Sequence, residues 1–566
     1  MRLGKTIFRA ATLLTLVSGL IVIIFLFFNH GTAFAARPAT APTPQGPNRF
    51  TTMQVDYTRY VWWLAAWSDN KVYCSFYADH EGLPTENDVY SACKLEVYNA
   101  WKANSKPCEE TDSKACPGYY FIQIAHRPAT REVTVKLPSP QVWISLTGCN
   151  PDKRGWCTQQ PKLVLTAEEP LPNESIVSIE GTIGKSPFKC EGKTCTFKLS
   201  KTIPAGIRIK FWANSTFGDN SKPYDALLRV LDESSKPGQL SNSWYVDVIS
   251  SQWTGTPTAS CAAIWEAFPP TEGLPQWLVT PASIEDLKSN IPYNYLAANL
   301  ISQGVTDATN CPNGGLNSDG SANGCGIRAA QNDVREWQNR FDQLIFTVAQ
   351  DVDVPAQLLK NLFSRESQFW PGVFKNGKDI GLGQMTEGGA DTTLLWNPSF
   401  YNQFCPLILN KNQCETKGFA SLKPYQQDLL RGALVGSVDA RCANCPLGLD
   451  LSRANFSIKI FAHTLLANCE QAGKIVQNVS GHMPGEVVDY ETMWRFTLVN
   501  YNAGAGCLSE AITQTYDPGA KNSLKWENVS PILESDCPGS TVYVEDISKD
   551  SAASGSQPTE TPTATP

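Results

Sequence analysis

Residues 355–371 read PAQLLKNLFSRESQFWP. Proline is favoured at the first position of a helix, so a helix is expected to open at Pro355. Leu358, Leu359, Leu362 and Phe363 then recur at the spacing of one apolar helical stripe. Glu366 follows Leu362 by four residues, Leu359 by seven and Leu358 by eight, which places it along the buried face and not the wet one. Pro371 limits the helix five residues later. A carboxylate on an apolar face is costly when ionised. Desolvation raises its pKa, so that it stays protonated near neutral pH, which is the state needed to protonate a glycosidic oxygen. The plainer alternative is an acid at a helix end that bends back to water.

Downstream, Gly377 to Thr386 (GKDIGLGQMT) sets three glycines around Leu382 and Gln384. Such a loop lets backbone approach a ligand closely, and Gln384 offers both a donor and an acceptor. Tyr490, Met493, Trp494, Thr497 and Tyr501 share a helical face, and Gly504 reads as its stop. Upstream, Phe341, Leu344, Ile345, Val348 and Val352 mark an amphipathic helix, and Phe456, Ile460, Phe461, Leu465 and Cys469 mark another.

Glu366-Ser367-Gln-Phe, Gly381-Leu-Gly-Gln384-Met385 and Tyr501-Asn502-Ala-Gly504, in that order, resemble the three motifs of the lytic transglycosylase domain, which is soluble lytic transglycosylase-like and goose-type lysozyme-like. The resemblance spans residues 338–512, about a third of the chain, and does not reach residues 50–330. It implies a mostly helical lysozyme-like fold with a peptidoglycan groove and no cofactor. It implies that Glu366 is the catalytic acid, protonating the oxygen of the MurNAc–GlcNAc β-1,4 bond. The carboxylate would then act as base toward the MurNAc 6-hydroxyl to leave a 1,6-anhydro end. Gln384, Met385, Tyr501 and Asn502 match motif positions at the sugars, and Ser367 matches the residue that supports the helix end.

The chain departs from the family pattern in several places. Gly383 stands where a Met is common, Glu387 where a Pro is usual, and Asn500 where an Ala precedes the Tyr. Lys375 occupies a position that is often Ser; a lysine there would either pair with Glu366 and lower its pKa, or bind a peptide-stem carboxylate. The extra length between Gln384 and Tyr501 lies at about 390–450 and carries Cys405, Cys414, Cys442 and Cys445. It reads as a disulfide-stapled insertion that caps one end of the groove and selects exo over endo cleavage. Cys442-Ala-Asn-Cys445 is half a zinc site at best and lacks the βαβ setting of a redox motif, so structural disulfides are expected and no metal. Asp379, Glu387 and Asp391 are the loop acids that a hydrolase would use to hold water. A lysozyme- or chitinase-like hydrolase on the same scaffold, and a non-catalytic wall-binding protein, are the competing functions.

The rest of the chain sets the context. Net charge is −7 with no basic run, which argues against nucleic acid as a partner. Eighteen cysteines imply an oxidising compartment. Arg2, Lys5 and Arg9 precede an uncharged apolar stretch at 10–28 and an Ala33-Phe-Ala35 pattern, so residues 1–36 read as a cleaved signal peptide or as an anchor in the cytoplasmic membrane. Either places the protein outside that membrane. Residues 37–49 are a Pro-rich linker and 546–566 a disordered Thr/Pro-rich tail.

Residues 50–158 form a Cys/Trp-rich α+β module whose tryptophans either build its core or stack on sugars. In it Thr85 caps one helix with Tyr90, Cys93, Val97 and Trp101 on one face. Residues 159–255 read as a β-sandwich, with a hairpin at 188–197 clipped by a Cys190–Cys195 bridge. Residues 256–335 read as a connector with one helix over 284–301, and 336–540 as the lysozyme-like domain. The fold class expected is therefore multidomain α+β: β-rich, disulfide-containing N-terminal modules followed by a mostly α domain.

Overall fold

The computed structural model describes residues 49–104, 117–149, 155–232, 243–255, 260–372, 379–415, 418–520 and 523–549. It is a multidomain α+β protein with a β-rich N-terminal half and a mostly helical C-terminal half. Eight disulfides lie among the described residues, as an oxidising environment allows. No described helix is long and apolar enough to cross a membrane; residues 10–28 and the tail beyond 549 lie outside the described residues.

The N-terminal module is a sheet of β1 (Phe50–Ala66), β2 (Val72–Ala78) and β3 (Tyr119–Lys136), in the order β2-β1-β3. Trp62, Leu64 and Phe76 alternate onto one face and pack on helices Glu86–Ala92 and Leu95–Ala103. Thr85 caps the first helix with Asp88 in a reciprocal box. The single helix expected here is two: Cys93 leaves helical geometry and is tied to Cys74, and a new helix starts after Lys94. β1 and β3 pair from Phe50↔Lys136 to Ala66↔Tyr119, whereas β2 joins only from Tyr60, so the lower half is a two-stranded ribbon. Arg49 anchors its base. That side chain is buried and reaches Glu169 (2.7 Å) and Asp219 (2.6 Å), both in loops of the second module.

The second module has two sheets, β4-β6-β9 and β5-β12-β11-β10-β7-β8. The strands are β4 (Gln141–Thr147), β5 (Trp156–Cys157), β6 (Lys162–Glu168), β7 (Ile176–Ile183), β8 (Ser186–Glu191), β9 (Thr194–Lys198), β10 (Ile207–Ser215), β11 (Tyr224–Asp232) and β12 (Trp244–Ile249). Their inward residues, among them Ile144, Leu165, Ile179, Phe211 and Val230, form one core. Two expectations change. The module begins at β4, inside the stretch assigned to its neighbour. Also, β8 and β9 are not a hairpin: β8 pairs with β7 and β9 with β6, so the chain crosses between sheets and the Cys190–Cys195 disulfide links them.

The helical domain starts earlier than residue 336. Helix Ser260–Trp265, in the supposed connector, joins its core: Cys261 is bonded to Cys469, and Trp265 donates to the Cys469 carbonyl at 3.1 Å. The 284–301 helix is a 3-10 turn, Ile284–Leu287, and a separate helix, Asn294–Ser302; the chain leaves helical geometry at Lys288 (ψ 135°) and re-enters it after Tyr293. Around them pack Asp342–Val352, Ala356–Ser367 (the acid helix), Leu451–Ser480, Tyr490–Thr515 and Ser540–Ser548 (the C-terminal helix). The C-terminal helix runs three residues into the span assigned to the tail. The 390–450 segment forms helices pinned by Cys405–Cys414 and Cys442–Cys445. It packs on Leu451–Ser480, where the Thr393 hydroxyl meets that of Thr464 at 2.9 Å.

Candidate active site

The acid helix buries Leu358, Leu359, Leu362 and Phe363 completely, as its stripe requires. Pro355 is the residue just before it, and its end is set at Ser367, not by Pro371. Gln368 (φ 47°) and Phe369 (φ 63°) take left-handed conformations in succession. The Gln368 side chain accepts from Tyr295 N (2.9 Å) and Leu296 N (3.3 Å), so the turn that stops one helix caps another. Glu366 thus stands in the last turn, partly buried, at the edge of the apolar core.

Its carboxyl Oε1 accepts a hydrogen bond from the Tyr543 hydroxyl. Burial pushes the Glu366 pKa up to about 7; the Tyr543 bond and the Arg365 charge oppose that rise, and the Asp379 charge adds to it. Burial wins because the direct partner is a neutral hydroxyl. Tyr543 is held far above the usual phenol pKa by burial and by the Glu366 charge, so it keeps its proton and acts as donor.

Tyr543 comes from the C-terminal helix, which docks on the acid helix through two further contacts. Asn361 Nδ2 donates to the Ile547 carbonyl at 2.8 Å, and Arg365 Nε lies 3.1 Å from Asp546 Oδ2. The Arg365 guanidinium also stacks 5.5 Å from the Tyr543 ring centroid. The Cys507–Cys537 bridge ties the approach to this helix back to Tyr490–Thr515. The sequence reading passed over Tyr543, although Tyr543, Val544 and Ile547 mark a buried helical face.

Tyr501 brings the other two motifs together. Its hydroxyl donates to the Gly383 carbonyl at 2.6 Å, and its phenol is raised by burial and by the Glu366 charge. The loop it holds is closed by a two-way backbone bridge between Ile380 and Met385, at 3.2 and 2.8 Å. Two glycines there are sterically required. Gly381 has φ 80°, and a Cβ on it would sit 2.6 Å from the Val438 carbonyl; a Cβ on Gly383 would sit 2.5 Å from the Phe461 ring. Phe461 therefore fills the room that a side chain at 383 would take. Gln384 is left-handed (φ 51°) and donates its amide to the Gly381 carbonyl, while its Oε1 is buried without a partner.

The remaining assigned residues divide. Ser367 is fully buried and its hydroxyl donates to the Phe363 carbonyl at 3.2 Å, a helix-end role. Met385 is buried in the core and supports the loop from beneath, not from a ligand-facing surface. Asn502 is exposed beside Tyr501. Lys375 lies outside the described residues. Gly504 (φ 84°) kinks the Tyr490–Thr515 helix and does not stop it. Asn500 is buried and bonds Asn468 Oδ1 (2.8 Å) and Gln471 Oε1 (2.9 Å), tying the two long helices together.

Of the loop acids, Asp391 is paired with Arg431 at 2.8 Å, Glu387 is exposed in the first turn of a helix, and only Asp379 acts on Glu366. Among the described residues no group of His, Cys, Asp or Glu could hold a metal, and Cys442 is bonded to Cys445. The arrangement is a carboxylic acid poised to give and take a proton near neutrality, fixed by one tyrosine and backed by a glycine loop that a second tyrosine holds. Comparison with protein-family models, curated proteins and solved structures finds no match to the chain.

Proposed function

We propose that the protein is a peptidoglycan lytic transglycosylase of the cell surface, with Glu366 as general acid and then base. What supports this is the Glu366 carboxyl in the last turn of the acid helix, with the Tyr543 hydroxyl on Oε1 and its proton held by burial, its charge acting on Tyr501, which in turn holds the Gly383 carbonyl of the glycine loop. In that state Glu366 protonates the glycosidic oxygen, the MurNAc C1–O bond breaks with the GlcNAc 4-hydroxyl as leaving group, and the side chain is left as a carboxylate. The same carboxylate then takes the proton of the MurNAc 6-hydroxyl as that oxygen closes on C1, giving the 1,6-anhydro ring. Tyr543 occupies Oε1, which leaves Oε2 as the oxygen that delivers and recovers the proton. Gln384 Oε1 is buried without a partner and would gain one if the side chain turned toward an amide or hydroxyl of a bound sugar.

A second reading has one observation in its favour, the Asp379 charge felt by Glu366. If Asp379 holds a water, the same site hydrolyses the bond. Mass spectrometry of digested sacculi separates the two: 1,6-anhydro ends are expected, and reducing ends in their place would transfer the assignment to the hydrolase.

A further inference from the structure

Three side chains from two helices meet around the acid. Tyr543 places its hydroxyl on Glu366 Oε1, and the Arg365 guanidinium lies 5.5 Å from the centroid of the same tyrosine ring. Asp546 stands three residues after Tyr543 on the C-terminal helix, a spacing that puts both on one face. Its Oδ2 lies 3.1 Å from Arg365 Nε, and its Oδ1 lies 3.4 Å from the exposed Lys549 ammonium. One phenol thus has a carboxyl at its hydroxyl and a cation at its ring, and that cation is answered by an aspartate.

The arrangement sets a positive charge beside a group whose role requires a proton. The Arg365 charge works against protonation of Glu366, and the Asp379 charge works for it. Tyr543 and Tyr501, the other titratable groups about the carboxyl, are phenols that burial keeps neutral. The Arg365 and Asp546 side chains are only 13 % and 20 % exposed, so water and salt screen them little. Arg365 Nε is buried and makes no hydrogen bond, so its contact with Asp546 is one of charge and not a directed bond. A bare guanidinium at this range would pull the carboxyl pKa down. With Asp546 against it, Glu366 faces a pair of opposed charges, whose fields largely cancel.

We propose that Arg365 and Asp546 are the positioning pair of the acid: Asp546 offsets the guanidinium beside Glu366 and so sets the highest pH at which Glu366 still carries its proton. Arg365 in turn seats the Tyr543 ring that presents the donor. That this proton serves glycan cleavage rests on the function proposed above; the charge balance does not. A pair that only pinned the C-terminal helix would behave differently. Loss of either member would then loosen the Tyr543 bond, which holds the Glu366 pKa down, and the carboxyl would titrate higher in both cases. The two readings differ in sign at Asp546.

The test is the ¹³C titration of the Glu366 carboxyl in the full chain, for the parent, Asp546→Asn, Arg365→Gln and Arg365→Lys, with Tm as the check of folding. Asp546→Asn is expected to lower the midpoint by about one pH unit, because the guanidinium then stands unanswered. Arg365→Gln is expected to raise it. Arg365→Lys keeps the charge and is expected to stay nearer the parent. Combining Asp546→Asn with Arg365→Gln is expected to abolish the fall. A midpoint that rises or does not move in Asp546→Asn overturns the proposal, and so does one that falls in Arg365→Gln. Asp546→Asn changes no side-chain shape, so it decides the matter even where Arg365→Gln does not fold. Release of soluble glycan against pH is read separately, and its basic limb is expected to follow the midpoints. A parent that titrates as stated but releases nothing leaves the pair standing and removes the enzymatic reading, so the two failures are distinct.

Discussion

The acid helix buries a charged side chain at each end, and the two are treated oppositely. Lys360 is 2 % exposed and fully answered: its ammonium lies 2.8 Å from Asp342 Oδ1 and 2.9 Å from Asn339 Oδ1, and it also donates to the Leu287 carbonyl. Burial lowers its pKa and raises that of Asp342, but each charge has its opposite in contact. Glu366, six residues on, has a tyrosine hydroxyl in place of a cation, and burial carries it to about 7. A buried charge that is paired is structure; one that is solvated only by a neutral donor is a proton reservoir. The Lys360 ammonium is thus held by a buried ion pair, and the Glu366 carboxyl by a single neutral hydroxyl.

The largest expected effect comes from abolishing the reservoir. Glu366→Gln keeps the shape and removes the proton, and release of soluble glycan from wall is expected to fall by about 10²–10⁴-fold or more, with binding retained. Activity near that of the parent would remove Glu366 from the mechanism, and binding without release by the parent would favour a non-catalytic wall protein. The next effect comes from breaking the paired end. Lys360→Met leaves Asp342 buried and alone, with an expected loss of about 3–5 kcal/mol in denaturant unfolding. Adding Asp342→Leu to it is expected to recover a large part.

A smaller effect separates the two ends by pH. Glu366 binds its proton more tightly folded, near 7, than at its ordinary 4.5. Its favourable contribution is complete below 4.5 and is lost as pH rises through 7. Thermal melts are therefore expected to show Glu366→Gln gaining on the parent between pH 4.5 and 7, to about 1–3 kcal/mol by pH 8. The smallest effect belongs to Tyr543→Phe. The Tyr543 bond holds the Glu366 pKa down, so removing it is expected to move the basic limb of the pH–rate profile upward, with the rate at the optimum within about tenfold of the parent.

The acid helix was legible because its stripe is local: Leu358, Leu359 and Leu362 alone determine which way Glu366 faces. Its end was not, because the residues that stop it, Gln368 and Phe369, carry no left-handed preference of their own; Tyr295 and Leu296 hold Gln368 there, and Trp337 and Tyr293 hold Phe369. Cys190 and Cys195 bracket a turn-rich stretch that suits a hairpin and a sheet crossing equally, and only the partners, β6 and β7, decide between them. Tyr543 was hidden for a similar reason. Its helix precedes a Thr/Pro-rich stretch, and its importance lies in docking onto Asn361 and Arg365, far away in sequence. The need for glycine at 383 was hidden too, because it is set by Phe461, far away in sequence, which occupies the space a side chain would take.

The proton on Glu366 is read most directly by titrating its carboxyl, by NMR of side-chain ¹³C-labelled glutamate with the resonance assigned by its absence in Glu366→Gln. A midpoint near 7 is expected. A midpoint in the ordinary glutamate range, near 4.5, would contradict it.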